Sequence, residues 1–345
     1  MRSNSKTGIY GYGAYIPTQI LESQSIADVW QRPITPIKAK RFAYIDEDTI
    51  TIAYEAARIA IESSGVPREK IGAIFIGSES KPYAVKPSGT VLADALGIPR
   101  TTLAADFEFA CKAGTEAIQT VMGLVSSNMI EYGLAIGADT AQGRPGDDLE
   151  FTAAAGGAAY IISSASNGVI GIFEASVSYV SDTPDFWRRS GEKYPKHLHR
   201  FTGDPAYFTH TINAVRLLFE NYGYSVSDFD YAVFHQPNSK FPQKVAQILG
   251  FKKEQITPGL LSPIIGNTYS ASSLLGLAAT LDVAKPGERI LLASFGSGAG
   301  SDAMSILVTD LINERRPKRK VRDYIAKGLI RDYSIYVKSR DKLFT

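Results

Sequence analysis

Two periodicities alternate along the chain. Residues 51–64, TIAYEAARIAIESS, place apolar side chains at helical spacing, and Gly65 and Pro67 stop the run. A strand pattern follows in IGAIFIG at 71–77. The same order of signals returns later: TINAVRLLFENY at 211–222, a stop at Gly223, then YAVFH at 231–235. The match continues, because VLADALGIPR (91–100) resembles KVAQILGFKK (244–253), and EYGLAIGAD (131–139) resembles ERILLASFG (288–296). Two copies of a βα-rich unit predict an α/β fold of two pseudo-symmetric halves, each with parallel strands covered by helices. The halves are expected at 1–167 and 168–345, divided near SSASNG. The stretch 176–208 has no counterpart in the first half. It is aromatic, basic and rich in loop signals, which predicts an insertion beside the active site.

Composition narrows the picture. With 345 residues, 44% hydrophobic and 21% charged, the chain is ordinary globular material and long enough for two core units. A net charge of +2 argues against a general nucleic-acid binder. Basic residues gather late, at Arg315, Arg316, Lys318, Arg319, Lys320 and Arg322, and read as a solvated tail or surface helix. The opening MRSNSKTGIYGYGAYIP is a polar lead and a strand-like run rather than a signal peptide. No apolar run is long enough to predict a membrane span. A single cysteine forms no internal disulfide and suits a reducing cytoplasm.

In such folds ligand chemistry gathers at the carboxyl ends of strands, where halves meet. Glu79 and His235 end the matching strands and are expected to face one another there. Cys111, in ADFEFACKAGTEAIQ, lies where a strand runs into an amphipathic helix. A helix N-terminus favours the thiolate, and Lys112 is expected to add to that effect, although a lone cysteine also suits a small core position. Glu79 reads as a general base if burial raises its proton affinity, and otherwise as a solvated loop glutamate. Asn267, in IIGNTYSAS, opens the matching second-half helix and reads either as an oxyanion donor or as a cap. His197, His199 and His210 have weaker cases, and nothing near them completes a metal-ligand set. The glycine-rich SFGSGAGSDA is followed by a strand pattern. It predicts a hairpin or a close backbone approach rather than a phosphate loop.

Together these residues resemble the thiolase-fold condensing enzymes, and the added Glu79 narrows the resemblance to 3-hydroxy-3-methylglutaryl-CoA synthases. The stretches GIYGYGAYIP, FEFACKAGTEA, FTAAAGGAAY, HRFTGDPAYF, FHQPNSKFP and GNTYSAS resemble the shorter archaeal members over nearly the whole chain. The resemblance implies a ping-pong condensation of acetyl-CoA with acetoacetyl-CoA in the mevalonate pathway. Cys111 would carry the acetyl group, Glu79 would take a proton from its methyl, and His235 and Asn267 would polarise the acceptor. It further implies that Thr152, Thr202 and Ser297 contact the hydroxymethylglutaryl portion, and that Arg200, Lys240, Lys244, Ala27 and Asp28 contact CoA. Lys244 stands where many members have arginine, so it would meet phosphate as a point charge rather than a fork. The CoA thioesters are substrates, with no separate cofactor and no metal. The family also implies a homodimer, and a complex with acetoacetyl-CoA thiolase and a small OB-fold, zinc-binding protein.

Three other readings use the same residues. A type III ketoacyl synthase would decarboxylate a malonyl thioester with Cys111, His235 and Asn267, but has no use for a base at Glu79. A thiolase would supply a second cysteine, and this chain has one. A non-catalytic scaffold subunit would be expected to have lost the nucleophile or the base.

Overall fold

The computed structural model describes residues 5–35, 37–141, 143–198 and 201–340. The first helical pattern becomes α1 (Thr49–Ser64). Asp48 accepts from the Thr51 backbone N–H at 2.8 Å while the Thr51 hydroxyl accepts from the Asp48 N–H, so two orphan donors are satisfied at once. Gly65, at φ 65°, ends the helix. Its repeat partner is α4 (Phe208–Tyr222), ended by Gly223 in the same left-handed conformation. The second pair is α2 (Ser88–Leu96) and α5 (Lys240–Leu249), closed by Gly97 and Gly250. The third is α3 (Ala113–Ser126) and α6 (Ser272–Leu281).

The strands repeat as well. The first half supplies β1 (Thr7–Tyr15), β2 (Ile71–Gly77), β3 (Leu103–Phe107), β4 (Tyr132–Thr140) and β5 (Ala155–Ser164). The second supplies β6 (Gly171–Val180), β7 (Tyr231–Phe234), β8 (Arg289–Ala293) and β9 (Gly300–Val308). They hydrogen-bond in the order β7-β8-β9-β6-β1-β5-β4-β2-β3. Outward from the β1–β6 seam both halves therefore run in the same order, and β3 alone lacks a described partner strand in the second half. The inner pair of each repeat is parallel, β2 with β4 and β7 with β8, as the duplicated pattern predicts.

Three hydrophobic clusters give five layers. One buries α1 and α2 on the outer face of the first half, through Ile52, Ala56, Ala60, Ile74 and Leu134. Another buries α4 and α5 on the second, through Ala214, Leu218, Val245, Phe234 and Leu291. The central cluster packs α3 and α6 between the inner faces, joining Val121 and Leu275 to Tyr160, Leu292 and Met304. The active-site ends of α3 and α6 thereby meet.

The stretch 176–208 differs from its sequence reading at both ends. Residues 176–180 stay in β6, and α4 already starts at Phe208. The excursion between them holds a short hairpin, Phe186–Trp187 with Lys196–His197, and a helical turn at 202–207. It does have a topological counterpart, because residues 16–48 leave the first half at the same point, between β1 and α1. That segment folds differently, into a helix (Ser23–Trp30) and strands Gln19–Glu22 and Ala39–Phe42 in a three-stranded sheet completed by Leu329–Ile330. Unlike folds explain why no sequence match was visible.

A buried ion pair fastens the segment after Cys111 to the second half. Lys112 is 0% exposed, and its ammonium lies 3.1 Å from the Asp302 carboxylate on β9 and against Glu116. Asp302 also accepts from the Thr115 and Ser178 hydroxyls, both at 2.6 Å. Removing one member strands a charge in the core. Lys112→Met should cost about 3–5 kcal/mol in urea unfolding. Lys112→Met with Asp302→Asn should recover much of that loss, and additive losses would show that the two charges do not depend on each other.

Candidate active site

Cys111 sits in a tight turn between β3 and α3. Ala110 takes φ 44°, a strained value for a residue with a Cβ. The Lys112 N–H donates to the Phe109 carbonyl at 3.1 Å and the Ala113 N–H to the Ala110 carbonyl at 3.2 Å. The second half presses on this turn through the β8–β9 hairpin. A Cβ on Gly296 would come within 2.5 Å of the Phe109 carbonyl oxygen, so only glycine allows the approach. The glycine-rich hairpin thus acts on the cysteine turn rather than on a phosphate.

Glu79 follows β2, and its Oε1 lies 3.3 Å from the Cys111 sulfur. Its backbone is fixed by Asp139, at the end of β4. The buried Asp139 carboxylate accepts from the Ser78 hydroxyl at 2.7 Å, the Glu79 N–H at 3.0 Å and the Ser80 hydroxyl at 2.6 Å. It also accepts from the N–H and hydroxyl of Ser270, in the turn that opens α6, at 2.8 and 2.6 Å.

Burial raises Glu79 from its ordinary 4.5 to about 8, with the Asp139 charge adding to the rise and Arg188 opposing it. Burial pushes the Cys111 thiol well above its ordinary range, and the neighbouring Glu79 charge pushes it further. This overturns the expectation of a thiol lowered by a helix N-terminus and Lys112. The helix begins two residues after the cysteine, and the Lys112 ammonium is turned away onto Asp302 and Glu116.

His235 directly follows β7, buried, with its backbone N–H donating to the Ala293 carbonyl at 2.9 Å and its carbonyl accepting from the Tyr207 hydroxyl at 2.6 Å. Burial lowers its imidazole to about 3, so the ring is neutral at ordinary pH. Nδ1 has no hydrogen-bond partner among the described residues. Asn267 makes the cap contact that its sequence position allowed. Its Oδ1 accepts from the Tyr269 N–H at 2.9 Å, as a cap does, which leaves the NH2 end to donate elsewhere. Its backbone is tied to the first half, donating to Thr152 at 2.7 Å and accepting from Ala154 at 2.8 Å.

Two chambers meet at these side chains. A cavity of about 370 Å3 is lined by Cys111, Thr152, Thr202, His235, Asn267 and Ser297. Six of the positions singled out in the sequence thus share one space. A second cleft, about 380 Å3, contains Glu79. Phe186, Tyr269 and Ser297 line both. Glu79 and His235 therefore open on adjoining chambers, with Cys111 between them, rather than facing across one crevice.

The remaining expectations divide. Lys240 and Lys244 lie one turn apart on α5, beside the cavity-lining Asn238 and Phe241, but line neither chamber. The Lys244 ammonium rests 4.9 Å from the centre of the Phe208 ring. Ala27 is buried against Phe151 and Tyr336, and Asp28 is exposed and bonded to Gln24, so neither lines the chambers. Arg200 and His199 lie outside the described residues. His197, a weak candidate in the sequence, does line the Cys111 cavity, with Nε2 3.0 Å from Asp147. His210 instead sits behind the site against the Ser181 hydroxyl at 2.7 Å.

Sequence reasoning missed Asp139, Tyr269 and Phe186. Tyr269, at φ 52°, has a buried hydroxyl without a partner among the described residues. The EYGLAIGAD repeat did mark the end of β4, where a carboxylate beside Glu79 was the available signal. Among the described residues no group of three or more His, Cys, Asp or Glu side chains is arranged for a metal ion. No described helix is long and apolar enough to cross a membrane.

Comparison with known proteins extends the geometry. Residues 219–308 match the family model for the C-terminal part of 3-oxoacyl-[acyl-carrier-protein] synthase III. The chain is 57% identical to the hydroxymethylglutaryl-CoA synthase of Thermococcus kodakarensis, over 99% of this chain and 98% of that one. It is also 57% identical to the enzyme of the same name from Pyrococcus furiosus, with the same coverage. The solved structure of MvaS in complex with 3-hydroxy-3-methylglutaryl coenzyme A has a TM-score of 0.87 at 21% identity, over 100% of this chain and 93% of that chain. That structural similarity shows a shared thiolase-like fold.

The Cys111–Glu79 pair gives a direct test. Glu79→Gln removes a charge that raises the thiol, so Cys111 should react faster with iodoacetamide, with its pH–rate midpoint moved to lower pH. An unmoved midpoint would mean that the charge does not reach the sulfur. The linkage sign is also fixed. Glu79 rises from 4.5 unfolded to about 8 folded, so its contribution to stability is complete below about pH 4.5 and is lost as pH climbs through about 8. The stability of wild type relative to Glu79→Gln should therefore fall across that interval in urea unfolding.

Proposed function

The chain belongs to the hydroxymethylglutaryl-CoA synthase family, and on that premise we propose the roles its own residues take in the reaction. The protein is an acyltransferase that forms 3-hydroxy-3-methylglutaryl-CoA from acetyl-CoA, acetoacetyl-CoA and water. The observation that carries the assignment is the Glu79 carboxylate 3.3 Å from the Cys111 sulfur, at the partition between the two chambers.

Acetyl-CoA enters the Cys111 cavity. The sulfur attacks its thioester carbon, the C–S bond to CoA breaks, and free CoA leaves with the proton. Glu79 then takes a proton from the methyl of the acetyl thioester. The resulting enolate forms a carbon–carbon bond to the ketone carbon of acetoacetyl-CoA, and the new alkoxide takes up a proton. Water releases the condensed acyl group as a carboxylate and restores the thiol. A neutral His235 and the NH2 of Asn267 donate to the acceptor carbonyl, where negative charge develops. Thr152, Thr202 and Ser297 line the space for the acyl portion. Lys240 and Lys244 mark the CoA end, and the family resemblance assigns CoA contacts to Arg200, Ala27 and Asp28 as well. The reaction balances with two thioesters and water alone.

A decarboxylating ketoacyl synthase shares the His and Asn half, and residues 219–308 match that family's C-terminal model. Decarboxylation makes its carbanion without a base, which would leave the placement of Glu79 unexplained. Three further assignments belong to the same reading: a place in the mevalonate pathway, a cytoplasmic setting, and a complex with acetoacetyl-CoA thiolase and a small OB-fold, zinc-binding protein. A homodimer would pair through β3, an edge strand whose Leu103 is 51% exposed.

Intact mass after acetyl-CoA should show an acetyl adduct that Cys111→Ala abolishes. Addition of acetoacetyl-CoA should yield 3-hydroxy-3-methylglutaryl-CoA. Glu79→Ala should still acylate but lose about 10²–10⁴-fold in condensation. A Glu79→Ala enzyme that condenses at the wild-type rate would remove the base from this assignment.

A further inference from the structure

The last step needs water at the thioester carbon while the acceptor's CoA arm still occupies the Cys111 cavity. Resting on the reading above, we propose that the Glu79 cleft is a separate water port, through which the hydrolytic water reaches the acyl-Cys111 intermediate.

The two chambers differ in the way this division requires. The Cys111 cavity continues past Pro237, Asn238 and Phe241 toward α5, whose Lys240 and Lys244 mark the CoA side. None of these residues lines the Glu79 cleft. A long thioester seated in the cavity therefore fills that approach and leaves the cleft free. The cleft is about 380 Å3, which is ample for several waters, and polar groups line it: Ser80, Lys81, Glu108, Thr140 and Arg188. The cavity presents Leu149, Pro237 and Phe241 instead. Phe186 and Tyr269 separate the chambers, and the Glu79 carboxylate reaches the sulfur at that wall.

The step balances with the groups present. Glu79, having returned its first proton to the new hydroxyl, takes one from a water in the cleft. The water oxygen bonds to the thioester carbon, the carbon–sulfur bond breaks, and the departing sulfur takes the proton held by Glu79. The product acid releases its remaining proton to solvent and leaves with the CoA arm through the Cys111 cavity. Arg188, whose charge opposes the rise in Glu79's proton affinity, favours the carboxylate form that this step needs.

Two substitutions at lining residues narrow the cleft without replacing the nucleophile, the base or the acceptor donors: Pro195→Phe, and Ala141→Leu at a residue that packs against the cluster of Cys111 and Tyr269. Each folded variant is mixed with acetyl-CoA and then acetoacetyl-CoA, quenched over time, and its intact mass followed. Both should acetylate as wild type does and then accumulate the condensed acyl adduct on Cys111. Turnover should be reduced on the order of tenfold, which is about 1.4 kcal/mol on the hydrolytic barrier. Loss of acetyl from the enzyme without acceptor should slow in parallel. Wild-type turnover with no adduct, or a stall at the acetyl stage in both variants, would overturn the port. A wild-type protein that never acylates Cys111 would instead overturn the parent reading.

Discussion

One buried carboxylate holds the site together. Asp139 accepts five hydrogen bonds, three from the Ser78–Ser80 segment after β2 and two from Ser270 at the start of α6. A carboxylate out of water is tolerated only when its lone pairs are met, and here donors from both halves meet them. The Ser270 hydroxyl also reaches the Gly77 carbonyl at 2.8 Å. The approach is possible because a Cβ on Gly137 would lie 2.6 Å from the Ser270 carbonyl oxygen. The position of Glu79 and the turn carrying Asn267 and Tyr269 are consequences of this one junction.

Around that junction the duplicated halves divide the chemistry. In the proposed reaction the first supplies the nucleophile and the base, and the second supplies the neutral imidazole and the amide. Each group stands at a strand end or just before a helix, on backbone that the opposite half constrains. Thr152 and Ala154 hold Asn267, Gly296 and Asp302 hold the Cys111 turn, and Asp139 holds Ser270. Preorganisation across the seam is what two packed halves provide and an isolated half cannot.

Local periodicity made much of this legible. The helix stops at Gly65 and Gly223, the strand ends at Glu79 and His235, and the cavity-lining Cys111, Thr152, Thr202, His235, Asn267 and Ser297 came from sequence spacing or family resemblance. What stayed hidden depends on contacts between distant segments. Asp139 looks like any strand-end carboxylate until Ser270 is beside it. The basic cluster near the end looks like a solvated tail, but Arg316 donates to the carbonyls of Leu281 and Ala284, closing the C-terminus of α6 at 3.0 and 2.6 Å, and Arg315 donates to Gly168 at 2.7 Å. Tyr336 likewise packs edge-on against Phe42 and accepts from the Lys40 ammonium at 2.9 Å. The charges read as surface are in part the caps of the central layer.

The electrostatics of the nucleophile show most clearly why a motif is not a mechanism. A cysteine ahead of a helix, followed by lysine, reads as a thiolate. Burial and a carboxylate 3.3 Å away make it a thiol instead, and Lys112 spends its charge on Asp302. That does not disable the site. A thiol kept protonated resists adventitious oxidation and alkylation, because the thiolate is the reactive form. The same carboxylate that raises the thiol is placed to accept its proton when a thioester carbon approaches, and once the sulfur is acylated the hydrogen bond that linked the pair is gone. In the proposed reaction Glu79 then faces the acetyl group with its proton affinity still raised by burial, close to the pH at which it would take a proton from carbon and return it. On that proposal, pairing the two groups lets one enclosed carboxylate serve the sulfur first and the carbon afterwards.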